Sequence, residues 1–178
     1  IGSSLVTMSG DVDFLKMYSD LNIELMDASV FLINNFWSDS LNNGFANGFM
    51  NVKGSFKSIN TNFNLSIEDF SYRDLNLKSF ILNGDIKNNN SQKNGFLNFK
   101  IGNGSYKNFT FDNGSLDISL DRNIIDVESF EIKNQNDYLQ LNLLIEDFNK
   151  IELTRFQILY NQHYFANPLP ITIHYGCL

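Results

Sequence analysis

Apolar and polar residues alternate one for one along most of this chain, and a period of two admits strands and little else. Leu21-Asn22-Ile23-Glu24-Leu25 and Phe63-Asn64-Leu65-Ser66-Ile67 each send apolar side chains to one face and polar ones to the other, as do the runs 97–101, 116–120, 139–143 and 171–175. Parallel strands covered by helices on both faces would read as unbroken apolar runs, so a doubly wound α/β fold is disfavoured. The expectation is an all-β chain, a meander of about ten antiparallel strands wet on one side. At most one short helix is expected, over 27–37, where Asp27 precedes apolar positions Val30, Ile33, Phe36 and Trp37.

Asn-Gly occurs at 43–44, 47–48, 83–84, 94–95, 103–104 and 113–114. Both residues tolerate the positive φ of a type I′ turn, so these dipeptides predict hairpin turns. Gly102-Asn103-Gly104-Ser105 lacks the strand–helix setting of a phosphate loop and reads as one of them. The polar stretch 88–94 predicts a loop tip.

A more specific cadence places apolar residues at i, i+2, i+5 and i+7. It recurs in Leu65/Ile67/Phe70/Tyr72, Leu75/Leu77/Phe80/Leu82, Ile125/Val127/Phe130/Ile132 and Ile151/Leu153/Phe156/Ile158, with Phe third every time. On a helix these positions scatter around the circumference. On a strand the three-residue step requires a one-residue bulge that returns Phe to its face, or a crossing to the other face; the bulge is the favoured reading. The copies are irregularly spaced, which marks a degenerate repeat.

One-sided strands must hide their apolar face. A sandwich or a closed barrel does so with protein, whereas a sheet curled into a trough leaves a groove for a chain-like apolar ligand. Patterning leaves all three open. With 43% apolar residues and 17 Phe among 178, the chain has ample apolar surface for any of them. Thirteen Lys and Arg against 20 Asp and Glu, a net charge of −7, argue against a nucleic-acid groove. A single Cys rules out disulfide scaffolding within the chain. No apolar run approaches the roughly 20 residues of a bilayer-spanning helix. The chain opens at Ile1 and stops just after a strand-like run, so residues 1–178 are expected to be one segment of a larger repetitive β protein, with any anchor or export signal outside it.

Catalytic and metal chemistry find little support. His163, His174 and Cys177 are a conceivable ligand trio, but His174 stands in the polar phase of its strand and His163 in an expected loop, so both read as surface histidines. Glu68-Asp69 and Glu146-Asp147 are adjacent pairs, whose members point to opposite faces of a strand and do not converge on a glycosidic bond. They read as solvated acids at strand ends. Asp112, Asp117, Asp121 and Asp126 lack the compact ligand series of a calcium loop. The sequons at Asn64, Asn89, Asn103, Asn108 and Asn113 are expected by chance in so Asn-rich a chain. No enzyme, cofactor or metal site is expected.

From Leu21 onward, the order of features resembles the AsmA-like superfamily, particularly its TamB-like members. It runs from LNIELMDASVFLINNFW through the glycine-punctuated GFANGFMNVKGSF to NFNLSIEDFSYRDLNLKSFILNGDI. Then come IDVESFEIKNQNDYLQLNLLIED and IELTRFQILYNQHYFANPLPITI, with a late Asn167-Pro168 before another strand. The chain departs in its wealth of Asn and Phe, and in having Leu143 where a glycine is expected after YLQLN. The resemblance implies an elongated, taco-like β-groove with a greasy interior. It implies phospholipid movement between inner and outer membranes, assembly of outer-membrane proteins with a barrel-assembly partner, and a periplasmic, inner-membrane-anchored whole. On that reading the groove is lined by Leu65, Ile67, Phe70, Leu75, Leu77, Phe80, Phe99, Ile101, Phe111, Ile118, Leu120, Val127, Phe130, Leu141, Leu153 and Phe156, and its ligands are phospholipid acyl chains. The rival expectation is a structural or carbohydrate-binding β-sandwich, such as an adhesin module presenting Tyr and Asn.

Overall fold

The computed structural model describes residues 4–30, 41–89, 92–147 and 149–174. Fourteen strands follow one another: β1 (Leu5–Asp13), β2 (Tyr18–Ser29), β3 (Leu41–Ser55), β4 (Ser58–Tyr72), β5 (Leu75–Asn89), β6 (Gln92–Ile101), β7 (Gly104–Tyr106), β8 (Phe109–Phe111), β9 (Asn113–Arg122), β10 (Ile124–Asn134), β11 (Asp137–Glu146), β12 (Lys150–Tyr160), β13 (His163–Ala166) and β14 (Ile171–His174). They form one antiparallel sheet in nearly sequential order, β1-β2-β3-β4-β5-β6-β9-β10-β11-β12-β13. The short β7–β8 hairpin prolongs β6 and β9, with β7 pairing β5 beyond the end of β6. β13 and β14 lie along opposite halves of β12.

The sheet is open and a single layer. The chain exposes 12167 Å², against about 8800 Å² for a compact monomer of its 20.4 kDa. A sandwich of this size would bury its inner face, yet among the described residues the buried apolar ones are few: Ala28, Val30, Ala46, Leu77, Phe111 and Val127. The all-β expectation holds and the sandwich alternative does not. The expected helix does not start at Asp27: residues 27–29 belong to β2, Val30 is in 3₁₀ conformation, and 31–37 lie outside the described residues.

Register shifts fall at three of the four copies of the cadence, in β4, β10 and β12, while the β5 copy keeps an unshifted register with β4. Across the regular strand β11, Leu143 faces Val127 on one side and Leu153 on the other, while Leu141 faces Phe130 and Phe156. Two residues separate the β11 members of these pairs and three separate their partners, so β10 and β12 each carry one extra residue. Phe130 and Phe156 thereby return to the face of Val127 and Leu153. In β4 the extra residue is Asp69, held at φ 49°, and in β2 it lies at Met26-Asp27, with Asp27 at φ 47°. A short carboxylate side chain tolerates this left-handed conformation better than most. At the β12 bulge, Asn167 replaces missing ladder contacts: its Oδ1 accepts the Phe156 N–H at 2.5 Å, and its own N–H donates to the Phe156 carbonyl at 3.1 Å.

The Asn-Gly dipeptides are not turns. All six glycines lie inside strands: Gly44 and Gly48 in β3, Gly84 in β5, Gly95 in β6, Gly104 in β7 and Gly114 in β9. The reversals use other residues, with positive φ at Arg73, Lys107, Gln135, Asn161 and Gln162 among them. Gly102–Ser105 is the irregular join of β6 to β7, with Gly102 and Asn103 bonded to Ser79 and Lys78 of β5. The expected loop tip at 88–94 is shorter than predicted, because Asn88 pairs with Lys93 and Asn89 with Gln92. Glu68-Asp69 lies within β4 at its bulge and not at a strand end, whereas Glu146 does close β11.

Candidate functional site

Register turns one-sided strands into a continuous surface. One cross-strand row runs Val6, Leu25, Gly48, Leu65, Leu82, Phe99, Leu116, Phe130, Leu141, Phe156 from β1 to β12. The next runs Met8, Ile23, Met50, Phe63, Gly84, Leu97, Ile118, Val127, Leu143, Leu153 and ends on Ile171 of β14. A third includes Leu21, Val52, Thr61, Ile86, Gly95, Leu120, Ile125, Ile145 and Ile151; a fourth includes Ala46, Ile67, Phe80, Ile101, Gly114, Ile132, Leu139 and Ile158. No charged side chain stands in these four rows. At about 4.8 Å between strands and 6.7 Å between rows, the ten strands and four rows make a face roughly 43 Å long and 20 Å wide.

The sequence-predicted lining residues come together here. Leu65, Phe99, Phe130, Leu141 and Phe156 share the first row, Ile118, Val127 and Leu153 the second, Leu120 the third, and Ile67, Phe80 and Ile101 the fourth. Phe70, Leu77 and Phe111 continue the face beyond the bulges through the pairs Phe70–Leu77, Leu77–Gly104 and Gly104–Phe111, and Leu75 follows opposite Tyr72. Leu77, Phe111 and Val127 are buried and the others half-buried. The Phe80 and Phe99 rings meet at 5.8 Å between centroids. Phe109, Ile132, Leu139, Ile158 and Tyr160 line an apolar cleft of about 180 Å³ at one margin. Phe63, Leu97, Leu116, Leu139 and Ile158 were missing from the predicted lining, although the same alternation marks each of them.

The misplaced Asn-Gly dipeptides now acquire a reason. Gly48, Gly84, Gly95 and Gly114 all stand in the apolar rows, and the Asn before each faces the other way. At Gly84 the missing side chain makes room for the Phe63 ring, whereas at Gly48 and Gly95, both at positive φ, a Cβ would overlap the backbone carbonyl of Asn64 or Asp85 on the next strand.

The reverse face is mostly polar and bonded across strands, with Phe49, Ile81, Phe96 and Leu144 set among its polar residues. Asn64 donates to Asn83 at 2.5 Å, while Asn98 and Ser129 both donate to Asp117 at 2.7 Å. Lys53 pairs with Asp20 at 2.7 Å and Lys78 with the bulge residue Asp69 at 2.9 Å, and each lysine is raised above its ordinary value, chiefly by the hydrogen bond to its carboxylate. Glu131 contacts Lys133 at 2.7 Å and accepts from Gln140. The Lys133 hydrogen bond, ahead of an opposing effect of burial, holds its carboxyl below the ordinary value. A lowered carboxyl stabilises the fold above its ordinary value and loses that contribution as pH falls through the lowered one. Glu131→Gln should therefore cost less than about 1 kcal/mol at neutral pH, after allowance for solvent screening, and the difference should fade in acid. Urea titrations of both proteins across that range check the sign.

His163 and His174 are both exposed, and His163 opens β13 instead of lying in a loop. Cys177 lies outside the described residues. Among the described residues no cluster of His, Cys, Asp and Glu could hold a metal, and no helix is long and apolar enough to cross a membrane. Fold and site together define an open antiparallel sheet with one continuous apolar face and one mostly polar, hydrogen-bonded face. No family model matches the chain, and neither a curated protein nor a solved structure matches it.

Proposed function

We propose that this sheet is a non-enzymatic carrier surface for lipid acyl chains, one stretch of a longer hydrophobic β-groove. The observation that carries the reading is the four-row apolar face, continuous over roughly 43 Å and, among the described residues, not covered by a second protein layer. An exposed apolar surface of this extent is unfavourable in water and marks a binding site. Its form suits a chain-like ligand: an acyl chain spans about half of a bilayer's roughly 30 Å core, so about three would lie end to end along the rows. Aliphatic and aromatic contacts without directional polar groups hold such chains at many equivalent positions, which favours sliding over fixed binding. The resemblance to TamB-like proteins extends the reading to phospholipid transport across a bacterial envelope and to outer-membrane protein assembly, with the segment in the periplasm and its anchor elsewhere in the protein.

Native mass spectrometry of the protein purified from bacterial envelope, with extraction and identification of bound lipid, tests the proposal. Phospholipid should remain bound in the gas phase. Protein that is free of lipid and fails to take it up from vesicles would sink it.

A further inference from the structure

The apolar phase of the sheet ends differently at the two hairpin margins. At one margin it runs out through Tyr72, Leu75, Tyr106 and Phe109, each opposite the next. The turn cations there lie over rings, Arg73 at 5.2 Å from the Tyr72 centroid and Lys107 at 5.6 Å from that of Tyr106. At the other margin the neighbouring strands β5, β6 and β9 end the same phase on Asn88, Lys93 and Arg122, side by side. Each stands two residues beyond a member of the third apolar row, Ile86, Gly95 or Leu120.

This trio lacks the partners its chemistry calls for. Lys93 and Arg122 are like charges directly opposite one another, which disfavours the pairing of β6 with β9 until an anion lies between them. Among the described residues Lys93 has no ion pair, and the one carboxylate near Arg122 is that of its chain neighbour Asp121, at 3.9 Å. Both cations are exposed to an approaching ligand. Asn88 is half-buried, and its Oδ1 is buried without a hydrogen-bond partner, a state that native structures rarely leave unrelieved. Rotation about the broad terminal torsion of the amide turns that oxygen outward, toward the cations' side of the site.

We infer that the trio is a headgroup station on the lipid path: Lys93 and Arg122 hold the phosphodiester of a phospholipid, and Asn88 Oδ1 accepts an N–H or O–H from the group beyond it. The inference rests on the lipid reading and adds the class of lipid to it. Ethanolamine and glycerol headgroups carry such a donor. Choline carries none and leaves Asn88 unsatisfied. With the phosphate at this margin, the acyl chains enter the apolar rows past Ile86 and Leu120.

Native mass spectrometry after incubation with vesicles of equal parts phosphatidylethanolamine and phosphatidylcholine, matched in acyl chains, tests this. Bound lipid should be enriched in the ethanolamine form by about fivefold, the worth of one neutral hydrogen bond. Asn88→Leu should bring the ratio to about one. The double variant Lys93→Ala, Arg122→Ala should lower uptake of both phospholipids about tenfold relative to diacylglycerol, which has the chains and no phosphate. Circular dichroism checks that the variants fold. No preference in the wild type, a preference that survives Asn88→Leu, or equal loss of diacylglycerol and phospholipid in the double variant would overturn the station and leave the apolar path standing. Competition by glycerophosphoethanolamine, the headgroup without its chains, would assign the trio to a soluble phosphate ester and overturn the lipid assignment. Wild-type protein that takes up neither diacylglycerol nor phospholipid would overturn the station and the lipid reading together.

Discussion

Phe130→Glu should strip bound lipid from the protein, and Phe80→Glu should do the same, while Phe80→Ala should leave binding within about twofold. Phe130 stands in the first apolar row between Leu116 and Leu141, and Phe80 in the fourth between Ile67 and Ile101. Truncating one ring removes one of many interchangeable contacts, and since Phe80 is only half-buried the fold loses about 1–2 kcal/mol. A carboxylate at either position must be desolvated whenever a chain lies over it. A penalty of about 2 kcal/mol corresponds to roughly a thirtyfold loss of affinity. A transfer assay between donor and acceptor vesicles, with circular dichroism to confirm the fold, separates the two effects. Equal tolerance of the alanine and glutamate variants would exclude the apolar face as the lipid path.

Gly48→Val should be among the most damaging single changes to the fold. Gly48 is at φ 141°, a region L-residues avoid, and a Cβ there would overlap the backbone carbonyl of Asn64 on β4. Strain of this kind costs about 1–3 kcal/mol before any clash is counted. The overlap is with backbone, so relief requires β3 and β4 to separate. Gly84→Ala is the matched control: its φ is ordinary and its added methyl meets the Phe63 ring and a Leu97 methyl, which can shift, so about 1 kcal/mol is expected. Denaturant unfolding should show Gly48→Val losing about 3 kcal/mol or more. A Gly48→Val protein as stable as Gly84→Ala would show that the β3–β4 ladder does not need the glycine.

The strand content and the bulges could be read from the sequence because both leave periods. Alternation marks a strand whatever its partners, and the three-residue step before Phe70, Phe80, Phe130 and Phe156 can be reconciled with a single face only by an extra residue. The Asn-Gly dipeptides misled for a physical reason. Positive φ serves a type I′ turn and a side-chain-free position in a curved sheet alike, and only the partner strands decide between them. Gly48 and Gly95 have such φ values in mid-strand, while the reversals at Arg73 and Lys107 use residues of no special turn character. The number of strands was underestimated because irregular joins at 102–103, 112 and 167–170 divide long strands in two. Whether Leu82 or Leu116 is covered by a second layer leaves no mark in the alternation, since a sandwich and an open trough share the same one-sided pattern.

The nearly sequential strand order has a consequence for reach. Each long strand is laid beside the one before it, so chain length converts into distance along the apolar face at a fixed rate, about 9.6 Å for every hairpin added. Residues on one hairpin make few demands on a hairpin several strands away, and gaining or losing a unit would alter the span of the surface while preserving its cross-section. A sheet built in this way is a molecular ruler whose divisions are hairpins, adjustable in span without redesign of the parts already in place.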